Sequence, residues 1–103
     1  MKKFLSLILA LALVLTCAAA MAEDLTVIGF AQVGHESDWR LANTADYQKT
    51  FTAENGYELL FVDCDNDHTV QLETVRSYIQ QEVDYIVICP VQTAGWDVVL
   101  KEA

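Results

Sequence analysis

Apolar positions along this chain fall into two patterns. Short, nearly continuous runs alternate with stretches in which apolar residues recur at helical spacing. The run Val27-Ile28-Gly29-Phe30-Ala31-Gln32-Val33 predicts a strand over 25–33, with Gly29 as its soft spot. Unbroken apolarity of this kind suits a strand covered by helices on both faces of its sheet. Leu59-Leu60-Phe61-Val62 predicts a second strand over 57–63, and Tyr85-Ile86-Val87-Ile88-Cys89 a third, ended by Pro90.

Between the strands the period changes to 3.6. Ser37 or Asp38 can cap a first helix, which runs to about Glu54 and stops at the C-cap signal Asn55-Gly56. Its face is weak: Leu41, Ala42, Ala45 and Phe51, with Tyr47 to one side. A second helix starts within 65–69 and ends near Gln81; Leu72, Val75, Tyr78 and Ile79 share one face. A third is expected from about Thr93, with Thr93 as its cap and Trp96, Val99 and Leu100 as its apolar stripe. The order βαβαβα predicts an α/β fold, a three-layer parallel sheet with right-handed crossovers. No repeat, low-complexity segment or linker divides it.

A further apolar run, 4–15, follows Lys2 and Lys3 and precedes Ala20-Met21-Ala22. Charged start, short apolar stretch and A-x-A site are the parts of a secretory signal. Residues 1–22 are therefore read as a signal peptide, with 23–103 as the folded part. The run is shorter than the about 20 residues a spanning helix needs. Cys17 raises the alternative of a lipid anchor, but Thr16 stands where a lipobox has Gly, Ala or Ser. Exported release, periplasmic or extracellular, is the favoured reading over lipid anchoring at Cys17.

Beyond residue 22 the chain keeps all 15 acidic residues and four basic ones (Arg40, Lys49, Arg76, Lys101), a balance of −11. Nucleic-acid binding needs clustered Lys and Arg and is disfavoured. Cys64 and Cys89 end the second and third strands. In this sheet type those strands flank the first. Strands lie about 4.8 Å apart, so the two ends are about 10 Å apart. A bridge needs Cα atoms within about 7 Å. Two free, mostly buried thiols are expected.

The candidate chemistry follows the first strand: Gly34-His35-Glu36-Ser37-Asp38-Trp39-Arg40. In open α/β sheets the ligand crevice lies at the carboxyl ends of the strands. Trp39 there can stack on the apolar face of a sugar, or pack on a neighbouring loop. Arg40 can present its planar fork to sugar oxygens, or simply pair with Glu36 or Asp38. Glu36 can accept from two adjacent hydroxyls, and Ser37 can both donate and accept; either can also cap the helix. Asp63, ending the second strand, lines the crevice or is an ordinary loop residue. His35 and Asp38 read as solvated. Asp63-x-Asp65-x-Asp67 begins like a calcium loop, but His68 replaces the required Gly and Thr74 the bidentate Glu, so no metal is expected. There is no G-x-S-x-G elbow, phosphate loop, CxxC pair or His pair at metal spacing, and no enzyme is read from the chain.

Residues 27–40 resemble the first strand and loop of type I periplasmic sugar-binding proteins, the solute receptors of ABC importers. The likeness is strongest to the galactofuranose-binding group, which has a similar Gly-x-Glu-Ser-x-Trp-Arg loop. It continues in Pro90-Val91, Gly95-Trp96 and Val99-Leu100-Lys101-Glu102-Ala103, and more weakly through Gln71, Val75, Arg76 and Ser77. Departures are the turn Val62-Asp63-Cys64-Asp65-Asn66, where the group often has a Gln-rich turn, and bulky Tyr47 and Phe51, where it often has Ala. The resemblance implies a partial N-terminal lobe, about half of one, that captures a small sugar, galactofuranose or a related hexose or pentose. It implies no cofactor, delivery to a membrane permease, and ligand contacts by Glu36, Ser37, Trp39, Arg40 and Asp63. Trp96 is read as core. Two rivals share the pattern: a sugar-sensing domain of a chemoreceptor or histidine kinase, and an exported flavodoxin-like enzyme. The acidic loop Glu36-Ser37-Asp38 opposes the latter, since it would repel phosphate.

Overall fold

The computed structural model describes residues 24–103. The expected signal segment and Cys17 lie outside the described residues. Three parallel strands form one sheet: β1 (Thr26–Gln32), β2 (Tyr57–Asp63) and β3 (Tyr85–Ile88), in the order β2-β1-β3. Helices α1 (Asp38–Thr50), α2 (His68–Gln80) and α3 (Asp97–Glu102) fill the connections. The register pairs Phe30 with Phe61 and with Val87. This is the expected α/β arrangement, with both faces of β1 covered. Among the described residues no helix is long and apolar enough to cross a membrane.

The two faces of the sheet differ in kind. On the first, the Phe30 ring meets Tyr47 of α1 at 4.4 Å and Phe61 of β2 at 5.7 Å between centroids. Such aromatic pairs add to what area burial contributes. On the second, Ala31, Cys64, Val75, Tyr78, Trp96 and Val99 form the buried core under α2 and α3. Trp96 is core, as expected. Cys64 is buried and Cys89 half-buried, and both thiols are free.

Tyr78 explains Gly29. Its ring lies flat against the strand, where a Cβ on Gly29 would sit 2.5 Å from two ring atoms. Its hydroxyl reaches past to the carbonyls of Leu60 at 2.8 Å and Phe30 at 3.2 Å. Burial pushes the phenol up to about 12, so it stays protonated and able to donate.

Two helix boundaries differ from expectation. Helix α1 stops at Thr50, not near Glu54, because Phe51 leaves helical geometry to place its ring between Tyr47 and Tyr57. The Asn55 amide then donates to the Thr50 carbonyl at 2.8 Å, and a separate 3₁₀ turn, Ala53–Asn55, leads to left-handed Gly56. The expected apolar face of α1 is also wrong. Leu41 is exposed, no residue of α1 is buried, and the helix meets the sheet through Asn43, Thr44 and Tyr47. Helix α3 begins at Asp97 rather than Thr93. Gly95 takes φ +87°, which delays the helix, and Trp96 occupies the cap position without a side-chain cap.

The start of α1 was open between two caps, and Ser37 is the one used: its Oγ accepts from Arg40 N at 3.1 Å. Ser37→Ala is expected to lower stability by about 1 kcal/mol. A urea midpoint unchanged within error would show that the cap contributes nothing.

Candidate functional site

The carboxyl end of β1 is held by a buried polar residue that the apolar pattern did not single out. Gln32 is fully buried. Its Nε2 donates to Asn43 Oδ1 at 2.9 Å and Thr44 Oγ1 at 3.1 Å, both on α1. Its Oε1 accepts from Val33 N at 3.1 Å and faces an Arg40 guanidinium nitrogen at 3.5 Å. Gln32 thus ties the strand end, the loop after it and the first turns of α1 into one unit.

The loop after β1 lies against the loop after β2. Cys64 N donates to Gln32 O at 2.9 Å, and Asn66 N to Val33 O at 2.7 Å. Asp65 and Asn66 both take positive φ, at 50° and 58°, a region that Asp and Asn visit more readily than other side chains. Asp65 N donates to Asp63 Oδ1 at 2.9 Å, which steadies the turn. Gly34 is buried in this contact, with Asn66 on one side and the Glu36 carboxylate on the other.

The five expected site residues are brought to this edge of the sheet. Arg40 Nε donates to Glu36 Oε1 at 2.9 Å, an i,i+4 ion pair. The Glu36 carboxyl is held below its usual range first by its own backbone N–H and then by Arg40. The same guanidinium lies 4.9 Å from the centroid of the Trp39 ring, within cation–π range. Trp39 itself is 67% exposed, so it does not pack on a neighbouring loop. Ser37 uses its oxygen as an acceptor in the cap, which leaves its hydroxyl hydrogen free to donate.

Asp63 is engaged on both oxygens. Besides Asp65 N, it meets His35 Nδ1 at 2.7 Å. Burial pushes its carboxyl up, but the Asp65 N–H and His35 outweigh this and hold it below the usual range. His35 was expected to be merely solvated. It is exposed but paired, across 28 positions of sequence, and the Asp63 hydrogen bond and charge raise its pKa above the ordinary imidazole value. No spacing rule could have found this pair. It follows from the parallel register that puts Gln32 beside Asp63.

Among the described residues no group of three or more His, Cys, Asp or Glu could hold a metal ion. None of the five expected site residues lines the cavity of about 380 Å³ beside Phe51 and Tyr57, or those of about 320 and 430 Å³ that share Ile88 and Leu100, the last of which reaches Pro90 and Thr93 in the loop after β3.

No family model matches the chain. It is 45% identical over 84 residues to the galactofuranose-binding protein YtfQ of Escherichia coli (strain K12), covering 82% of this chain and 26% of that one. It is 35% identical over 77 residues to the fructose import binding protein FruE of Bifidobacterium longum (strain NCC 2705), covering 74% and 23%. Among solved structures, the periplasmic binding protein of the arabinose ABC transporter from Shewanella sp. ANA-3, bound to α- and β-L-arabinofuranose, superposes with a TM-score of 0.71 at 42% identity. That match covers 76% of this chain and 26% of the other. The chain thus spans about a quarter of the length of the curated relatives it matches.

Proposed function

We propose that this chain, a homologue of the periplasmic sugar-binding proteins of ABC importers, supplies one wall of a furanose-binding crevice in an exported solute receptor. The observation that carries the reading is the Glu36–Arg40–Trp39 group at the carboxyl end of β1. An exposed indole backed by a guanidinium offers an apolar face to a sugar ring. Arg40 and Glu36, fixed against each other, present a donor fork and an acceptor to neighbouring hydroxyls. Ser37 donates through its free hydroxyl hydrogen. Asp63, with both oxygens already engaged, contributes through a remaining lone pair and by holding His35.

The sugar is a pentose or hexose, delivered to a membrane permease. That one relative is a fructose import binding protein and one solved relative a component of an arabinose ABC transporter supports the receptor reading over the sensor and flavodoxin-like readings. It likewise favours export to the periplasm.

Titration calorimetry with L-arabinose, D-galactose and D-fructose tests the proposal. At least one sugar should bind, and Trp39→Ala and Arg40→Ala should each weaken it by about tenfold or more, the effect of removing one well-placed contact of about 1.4 kcal/mol. Trp39 is exposed, so its variant should keep its melting temperature. Binding that survives both substitutions would place the sugar elsewhere; no binding of any of the three would overturn the reading.

A further inference from the structure

The loop pattern Gly-x-Glu-Ser-x-Trp-Arg leaves its second position open, and in this chain that position is His35. We infer that His35 is itself a ligand-contacting residue: Asp63 holds its Nδ1, and its Nε2 addresses a sugar oxygen in a proton-dependent way. The inference rests on the sugar-binding reading above.

Geometry carries the argument. Nδ1 is committed to Asp63 Oδ2 at 2.7 Å, while the side chain remains 62% exposed. Nε2 has no hydrogen-bond partner among the described residues. Asp63 is in turn oriented by Asp65 N, so the ring is anchored through a chain of two hydrogen bonds to the turn after β2. It stands one residue before Glu36, in the loop that leads into the first turn of α1, where Trp39 and Arg40 lie. An exposed imidazole fixed at one nitrogen and open at the other is a positioned hydrogen-bonding group.

The carboxylate partner also decides the chemistry of the open nitrogen. When the ring is neutral, Asp63 requires the proton on Nδ1, so Nε2 offers a lone pair and can only accept. When the ring is protonated, Nε2–H donates. A sugar hydroxyl satisfies either state, because it can donate or accept. A furanose ring oxygen only accepts, and is served by the protonated ring alone. The charges facing His35 favour that state: Asp63 from β2, Asp65 from the following turn and Glu36 from its own loop. Arg40, on α1, opposes them but is paired with Glu36. His35 is therefore held in its donor form to higher pH than a free imidazole.

Its charge-assisted donation should make sugar binding about fivefold tighter at about pH 5.5 than at about pH 8.5. The experiment is calorimetry of the full chain with L-arabinose across that range, alongside NMR titration of the His35 ring. His35→Asn, whose amide does not titrate, should lose the low-pH gain of about fivefold and so flatten the pH profile. Asp63→Asn should lower the His35 midpoint and shift the affinity profile with it. A pH-independent affinity, or an unchanged profile in His35→Asn, would overturn the inference and leave the sugar-binding reading standing. If no sugar binds at any pH while the His35 midpoint still depends on Asp63, the sugar-binding reading fails, and the ligand role of His35 with it. The intact titration tells the two failures apart.

Discussion

Gly29→Ala is expected to destabilise the domain by about 2 kcal/mol, the cost of overpacking a core with one methyl group. The added Cβ would lie 2.5 Å from two atoms of the Tyr78 ring and 2.9 Å from a third. A ring edge on a flexible arm could swing aside, but this ring is pinned at its far end. Its hydroxyl is bonded to carbonyls of β1 and β2, and its flanks are packed by the core around Val75 and Ala31. Moving it breaks those bonds; leaving it forces β1 outward from α2. Backbone propensity works the other way, since alanine is better tolerated in a strand than glycine. A stabilised or neutral Gly29→Ala variant in urea unfolding would therefore show that the ring is free to move. The pair Gly29→Ala with Tyr78→Leu separates the effects. If the clash dominates, the double variant should be more stable than the sum of the two single changes predicts.

Gly29 also marks the limit of what the apolar pattern conveys. The pattern located all three strands, and β2 to the residue, because Asn55-Gly56 and the acidic turn at 63–67 bound it with unambiguous turn chemistry. It located the buried face of α2, where Leu72, Val75, Tyr78 and Ile79 do pack on the sheet. It missed the end of α1 because Phe51 was counted as a helix-face residue, whereas the ring gains more by joining Tyr57 across the turn. It missed the face of α1 because the contact with β1 is partly polar: Gln32 reaches Asn43 and Thr44, and no hydrophobic period records such a seam. The same blindness applies to function. The five candidate residues share a local stretch or a strand end, and their convergence was legible from the fold class. The His35–Asp63 contact depends on the register of two strands, which only the folded sheet supplies.

The second large effect is expected at Gln71, which is fully buried on α2 and was legible only as part of a family likeness. Its Nε2 donates to the carbonyls of Ala31 at 3.0 Å and Cys89 at 2.8 Å, and its Oε1 accepts from Val91 N at 2.9 Å. One side chain thus joins the ends of β1 and β3 and shapes the loop that follows β3, at the edge where the candidate crevice lies. Gln71→Leu would fill the same space and leave three backbone groups without this partner. Each buried group left unsatisfied costs about 1–3 kcal/mol, so a loss of about 3 kcal/mol is expected after water reaches the most accessible of them. Gln71→Glu gives a sharper reading. It keeps the acceptor for Val91 N but turns an ionised carboxylate towards two carbonyl oxygens, which disfavours the charged form. Its folded pKa should therefore lie above the unfolded value of about 4.3, so the stability it contributes is greatest below that value and is lost as pH rises through the folded pKa. Unfolding midpoints of Gln71→Glu should accordingly fall between about pH 4 and pH 7 relative to the parent chain. A Gln71→Glu chain whose stability tracks the parent at every pH would mean that the side chain turns to water and that the strand ends hold without it.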